Sequence, residues 1–184
     1  MSNKKLDLMI DLETLGTSPG CVVLSIAAVP FNTEFDLEPF YEKISVVTCQ
    51  EYGLTTDPKT IEWWRRQSEE ARNEAFSGTK ELRAVLYRFS EYCAALPGAP
   101  RIWGNGSDFD NPILAAAYKA VDLRQPWDFR DNMCYRTLKN LFHFIPYTKP
   151  EVAHNAYQDA RAQAVHAQLI LNWLSAKGAL PNAL

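Results

Sequence analysis

Asp11 and Glu13 stand two positions apart in MIDLETLG near the start of the chain. On a strand such a pair leaves the same face, with roughly 6.6 Å between the two along the chain. Two carboxylates held there repel, and burial without a partner raises their pKa and costs stability, so something positive belongs between them. A solvated strand end with no chemistry would carry the same pair equally well. A second group lies in IWGNGSDFDNPIL, where Asp108 and Asp110 mark the handover from a short strand to a helix, with Asn111 as a cap and Pro112 inside the first turn. Gly104 and Gly106 permit a tight backbone there. One Asp ahead of a helix is ordinarily a cap; two, beside Asn105, exceed what one cap requires. The third group is AHNAYQDARAQAV, in which Asp159 follows His154 by five positions at the start of the last helix. Five positions are about 140° around a helix, so the two share a site only if His154 lies on the approach to it. His143 and His166 lack acidic neighbours and read as structural.

The elements that must position these groups follow from periodicity. Leu6, Leu8, Ile10 and Leu12 alternate with Asp7, Met9, Asp11 and Glu13, a strand period of two. A turn at 16–20 leads to the apolar run Cys21 to Phe31, and a third strand is expected over Phe40 to Thr48. Asp57 caps and Pro58 opens a helix through Trp63 and Trp64, and Ser68 opens a second short one. Thr79 is expected to cap a longer helix whose Leu82, Leu86, Phe89 and Cys93 recur every three or four positions. RIWGN then reads as a strand, Pro112 to Val121 as a helix, Trp127 to Arg130 as a short strand and Met133 to Phe142 as a helix. The last helix runs from about Ala156 to Leu174 on a stripe of Ala160, Ala164, Ala167 and Leu171. Antiparallel strands followed by alternating strands and helices imply an α/β fold: one mixed sheet, a three-strand antiparallel meander and then parallel strands, with helices on both faces.

Composition bounds the partners. The 184 residues are 47% hydrophobic and 22% charged with a net charge of −3, which suits a single folded domain over 1–184, the last eight or so residues a tail. That charge excludes a phosphate-coating DNA packager and a polybasic membrane binder. No apolar run is long enough for a membrane span, and the N-terminal segment fits neither a signal peptide nor an anchor. Four dispersed cysteines with no CxxC pair read as reduced thiols, hence a cytoplasmic protein.

Taken in order, DLETLG at 11–16, GNGSDFDN at 104–111 and HNAYQDA at 154–160 resemble the DnaQ-like 3′–5′ exonucleases of the DEDDh branch, within the ribonuclease H-like fold. MIDLETLGT, EWW at 62–64 and WGNG at 103–106 look most like the phage and bacterial branch grouped with the Rv2179c-like exoribonucleases. The resemblance implies that Asp11, Glu13, Asp110 and Asp159 hold two Mg²⁺ or Mn²⁺ ions, with Asp108 replacing Asp110 if the loop is shifted. It implies His154 as general base, an activity that hydrolyses single-stranded RNA or DNA from the 3′ end to nucleoside 5′-monophosphates, and Thr14, Leu15 and Gly16 around the terminal nucleotide, Leu15 wedged at its base. Asn105 joins them as a substrate contact. Relatives of this kind often pair, so a homodimer is among the expected states. Helical neighbours face about 100° apart, which assigns Trp64 to the core and Trp63 to base stacking. Two rivals differ in class. A phosphatase with a first-strand nucleophile would want DxD where this chain has Asp11-Leu12-Glu13. A binding module that holds a nucleic-acid end without cleaving it would not need all five of these side chains.

Overall fold

The computed structural model describes residues 5–150 and 154–179. Three strands form an antiparallel meander, β1 (Lys5–Thr14), β2 (Val23–Phe31) and β3 (Phe40–Lys43). Four short or middle-length helices follow: α1 (Val46–Glu51), α2 (Pro58–Arg65), α3 (Glu69–Ala75) and α4 (Leu82–Ala95). The chain then crosses to β4 (Ala99–Gly104), α5 (Asp110–Ala120), β5 (Asn132–Cys134), α6 (Tyr135–Leu141) and α7 (Ala156–Ala176). The sheet order is β3-β2-β1-β4-β5, with β4 and β5 parallel to β1, so β1 lies at its centre. This is the mixed, two-sided α/β architecture that the sequence implies.

The alternation along β1 separates two cores. Leu8, Ile10 and Leu12 pack against Leu86 and Phe89 of α4 and Ile113 and Leu114 of α5. Met9, on the other face, joins Trp103, Tyr135 and a row of alanines on α7, Ala156, Ala160, Ala164 and Ala167. Small side chains at these positions let the helix backbone approach the sheet closely. No helix among the described residues is long and apolar enough to cross a membrane.

Several expected boundaries move. The third strand ends at Lys43, and Val46–Glu51 is helical where a strand to Thr48 is expected. Past Ile44 the Ser45 N–H leaves the sheet and donates to Lys80 C=O at 2.9 Å, so tertiary pairing overrides the β-branched residues. The segment expected as a strand at Trp127 to Arg130 contains a 3₁₀ turn, Phe129–Asp131, and β5 follows it. Trp127 is buried there and its indole donates to Asn132 Oδ1 at 2.9 Å, which explains the apolar residue without a strand. Glu81, not Thr79, caps α4, its carboxylate accepting from the N–H groups of Arg83 and Ala84. Asn111 caps nothing: it lies inside α5 and donates to Ile102 C=O and Asn132 Oδ1, tying the helix to β4 and to the start of β5. Of the expected C-terminal tail, 180–184 lies outside the described residues.

Candidate active site

Asp11 and Glu13 leave β1 on the α7 face, just beyond Met9. Above them, Asn155 caps α7 by accepting from Gln158 N–H, which brings Asp159 into the first turn. One oxygen each of Asp11, Glu13 and Asp159 lies within 4.8 Å of the others. His154 precedes the helix with φ +62°, off its regular turns, and its N–H donates to Asp159 Oδ2 at 3.0 Å. That left-handed residue solves the five-position spacing: both side chains line one cavity of about 600 Å³ with Asp11, Glu13, Thr14, Gly16, Trp63 and Asn105.

Asp110 approaches from the β4 side: it is not among the three acids whose oxygens converge, but its charge acts on Asp11 and Glu13. The parallel ladder between β1 and β4 ends at Met9 and Trp103, which frees the later N–H groups of β1 on that side. Asp110 occupies the gap, its Oδ1 accepting from Leu12 N–H at 3.2 Å and its Oδ2 from Asn105 N–H at 2.8 Å. Gly104 makes room: a Cβ there would lie 2.5 Å from Asn111 Oδ1 and 3.1 Å from Asp110 Oδ2. Asp110 is 1% exposed and Asp108 is exposed, and neither lines the cavity.

The acids perturb one another. Burial, reinforced by the charges of Asp110, Glu13 and Asp159, pushes the Asp11 carboxyl well above its usual range. Burial, with Asp159 and Asp110 nearby, raises Glu13 to about 8. Burial also raises Asp110 to about 6, against the pull of its backbone donors and of Arg136. Asp159 is raised by burial as well, opposed by the His154 N–H. All these acids offer hard oxygens, and Lys59 is the one Lys or Arg among the residues that line the cavity. Such a donor set suits a hard divalent cation such as Mg²⁺ or Mn²⁺ and not a thiophilic one.

The profile of the Rv2179c-like 3′–5′ exoribonuclease domain matches residues 6–171. The chain belongs to this family. The exodeoxyribonuclease of Enterobacteria phage T4 is 29% identical to it over 121 residues, 59% of this chain and 53% of the phage protein, so the chain spans about half the length of that relative. The nuclease domain of 3′hExo, a DEDDh family member bound to rAMP, superposes with a TM-score of 0.61 at 14% identity, covering 93% of this chain and 94% of that one. E. coli exonuclease I bound to a dA13 oligonucleotide gives 0.60 at 18% identity over 92% of this chain and 41% of its own. At those identities the shared property is the ribonuclease H-like fold of the DEDDh exonucleases.

In this exonuclease domain the remaining sequence-predicted residues divide. Trp63 is 41% exposed on the cavity wall, its ring centroid 4.7 Å from that of His154 and edge-on to it. Trp64 is buried and its indole donates to Thr14 C=O at 2.9 Å, fixing the end of β1. Leu15 departs from the expected wedge. It is 4% exposed and packs in the core, its N–H donating to Val22 C=O at 2.9 Å, because a bulge between Glu13 and Thr14 breaks the alternation there. Thr14, Gly16 and Thr17 line the cavity in its place.

Three polar residues of the site carry no motif. Arg136 of α6 donates to Asn105 C=O and lies against Gly106, where a Cβ would come 3.2 Å from its guanidinium and the φ of +147° itself favours glycine. Glu74 of α3 accepts from Asn155 Nδ2 at 3.1 Å and from Tyr41 OH at 2.8 Å, bracing the residue after His154. Gln163 of α7 donates to Asp11 Oδ1 at 2.8 Å. Only Gln163 leaves a trace in sequence: a polar residue one turn after Asp159 and beside the alanine stripe.

Proposed function

We propose that this domain hydrolyses single-stranded RNA or DNA from the 3′ end, releasing nucleoside 5′-monophosphates, with two Mg²⁺ or Mn²⁺ ions held by Asp11, Glu13, Asp110 and Asp159. The carrying observation is the convergence of Asp11, Glu13 and Asp159, with oxygens within 4.8 Å of one another, in a cavity that also holds His154 and an exposed indole. When bound, such a cation pair lowers the pKa of the attacking water and stabilises charge on the phosphate and the leaving oxygen.

The chain's own residues do the positioning and the proton transfer. His154 takes a proton from the water as its oxygen bonds to phosphorus. The bond from phosphorus to the 3′ oxygen of the preceding nucleotide breaks, and that oxygen takes a proton from solvent water to become a 3′-hydroxyl. The main-chain bond to Asp159 fixes the backbone of His154, and the T-shaped contact with Trp63 places its imidazole at the cavity wall. Thr14 and Gly16 border the terminal sugar and Asn105 offers its amide to the substrate. Trp63 stacks on a base, a contact that tolerates any sequence because every base has a π face. The rAMP bound to 3′hExo is in keeping with a mononucleotide end. The family profile is named for RNA and the phage relative for DNA, so the reading includes both.

Matched RNA and DNA strands labelled at the 5′ end test it. The expected result is a ladder shortening from the 3′ terminus with Mg²⁺ or Mn²⁺ and abolished by EDTA. Internal cuts, shortening from the 5′ end, or digestion that persists in EDTA would overturn it.

A further inference from the structure

Gln163 is 4% exposed on the buried side of α7, among Ala156, Ala160, Ala164 and Ala167. A long amide there gives up rotamer freedom on burial and must recover the cost of desolvating its polar ends. Only one end is recovered. Nε2 donates to Asp11 Oδ1 at 2.8 Å, while Oε1 is buried with no hydrogen-bond partner. An orphaned buried acceptor costs stability that an apolar residue of the same length would not lose. Exchanging the two amide atoms would move the orphan to Nε2 and set Oε1 against a carboxylate that must be ionised to hold a cation. The residue nevertheless lines the acidic cavity, one helical turn beyond Asp159.

We infer that Gln163 is a positioning residue of the metal centre, holding Asp11 through Nε2 and accepting through Oε1 a hydrogen bond from water carried on the bound cation. The inference rests on the metal reading of the acid cluster and adds to it a neutral residue that ligates nothing. The donated bond favours the charged form of Asp11 and fixes one of its oxygens, and the orphan acceptor finds its partner when the ion brings its hydration water. Outer partners of metal ligands commonly alter affinity 10–100-fold. A purely packing role would instead appear as lost stability, with affinity unchanged.

The test is Mn²⁺ binding by calorimetry, paired with melting of the metal-free full chain, for the parent, Gln163→Met and Gln163→Glu. Gln163→Met fills the volume without either polar end. It is expected to weaken Mn²⁺ binding by about 10–100-fold while the metal-free melting temperature holds or rises. Gln163→Glu keeps an acceptor, so it is expected to bind Mn²⁺ more tightly than Gln163→Met although added repulsion lowers its metal-free melting temperature. Mn²⁺ binding by Gln163→Met within twofold of the parent overturns the inference. A parent chain that binds neither Mn²⁺ nor Mg²⁺ overturns the metal reading itself, and the inference with it.

Discussion

Asp7 and Asp11 leave the same face of β1, two pleat repeats or roughly 13 Å apart. Around Asp7 the protein supplies four donors: Arg101 Nε and Nη2 and Trp103 Nε1, each at 2.7 Å, and Asn32 Nδ2 at 2.9 Å. Around Asp11 it supplies one amide, from Gln163, and three further acids whose charges all oppose ionisation. Asp7 is buried and Asp11 half-buried against the cavity, and the greater exposure of Asp11 does not by itself tell a binding acid from an idle one. Charge balance does: the first is neutralised from within and has nothing left to bind, while the second is completed only by positive charge from outside. The lesson reaches past this strand. A satisfied buried acid belongs to the architecture, and an unsatisfied group of them marks the place where the fold gives up stability for function.

Substitution should separate the two kinds of acid. Asp11→Asn keeps the shape and removes one repelling charge; hydrolysis should fall by at least ~10²–10³-fold, the scale for losing one group that stabilises transition-state charge. The metal-free protein should melt higher than its parent, which a structural acid would never allow. Turnover with saturating Mg²⁺ and melting in EDTA measure the two. Asp7→Ala should do the opposite. It leaves the Arg101 guanidinium buried without its partner, a loss of about 3–5 kcal/mol, or roughly 6–20 °C in melting temperature for a chain of this size. Its Mn²⁺ affinity should stay at the parental value wherever the protein is folded. Equal losses of stability in both variants would erase the distinction.

The acid cluster should also carry a pH signature. Glu13 has a folded pKa of about 8 against an ordinary 4.5, so between those values the folded chain holds a proton that the unfolded chain has lost. Stability from this group is complete below about pH 4.5 and is lost as pH rises through 8, at up to about 1.4 kcal/mol per pH unit. Melting in EDTA should therefore fall from pH 6 to pH 8. Saturating Mn²⁺ should flatten the fall, because ligand binding requires deprotonated carboxylates, and at pH 7 it should release protons to the buffer. A metal-free melting curve independent of pH over that range would remove the electrostatic half of the comparison.

Much of this was legible in the chain. The period of two in β1 puts Asp11 and Glu13 on one face, and the helical period separates Trp63 from Trp64, because both features are local and repeat. The approach of α7 to the sheet is written in its alanines. What escaped is set by partners far away in sequence. The third strand ends early because Lys80 takes the Ser45 N–H, and Trp127 is buried without a strand because Asn132 meets its indole. Leu15 turns inward at a single bulge that no periodicity announces. Arg136 and Glu74 act on Asn105 and Asn155 across 31 and 81 positions. Asp7 is the sharpest instance: its spacing from Asp11 gives no sign that Arg101 and Trp103 of the neighbouring strand neutralise it.

Asp108 and Asp110 give the comparison its finest test, since two acids two positions apart in one loop are separated only by which way the turn delivers them. Asp110 caps the free N–H groups of Leu12 and Asn105 and feels the charge of Arg136, while Asp108 stands exposed outside the cavity. Asp108→Ala should therefore move melting by no more than about 0.5 kcal/mol equivalent, the range for surface substitutions away from special features. It should leave turnover within twofold of the parent. Asp110→Asn should cost activity on the scale of Asp11→Asn, because the proposed metal centre uses both carboxylates. If Asp108→Ala were the inactive variant, the loop in the working enzyme would deliver the other acid, and the geometry around Leu12 and Asn105 would describe a cap and not a ligand.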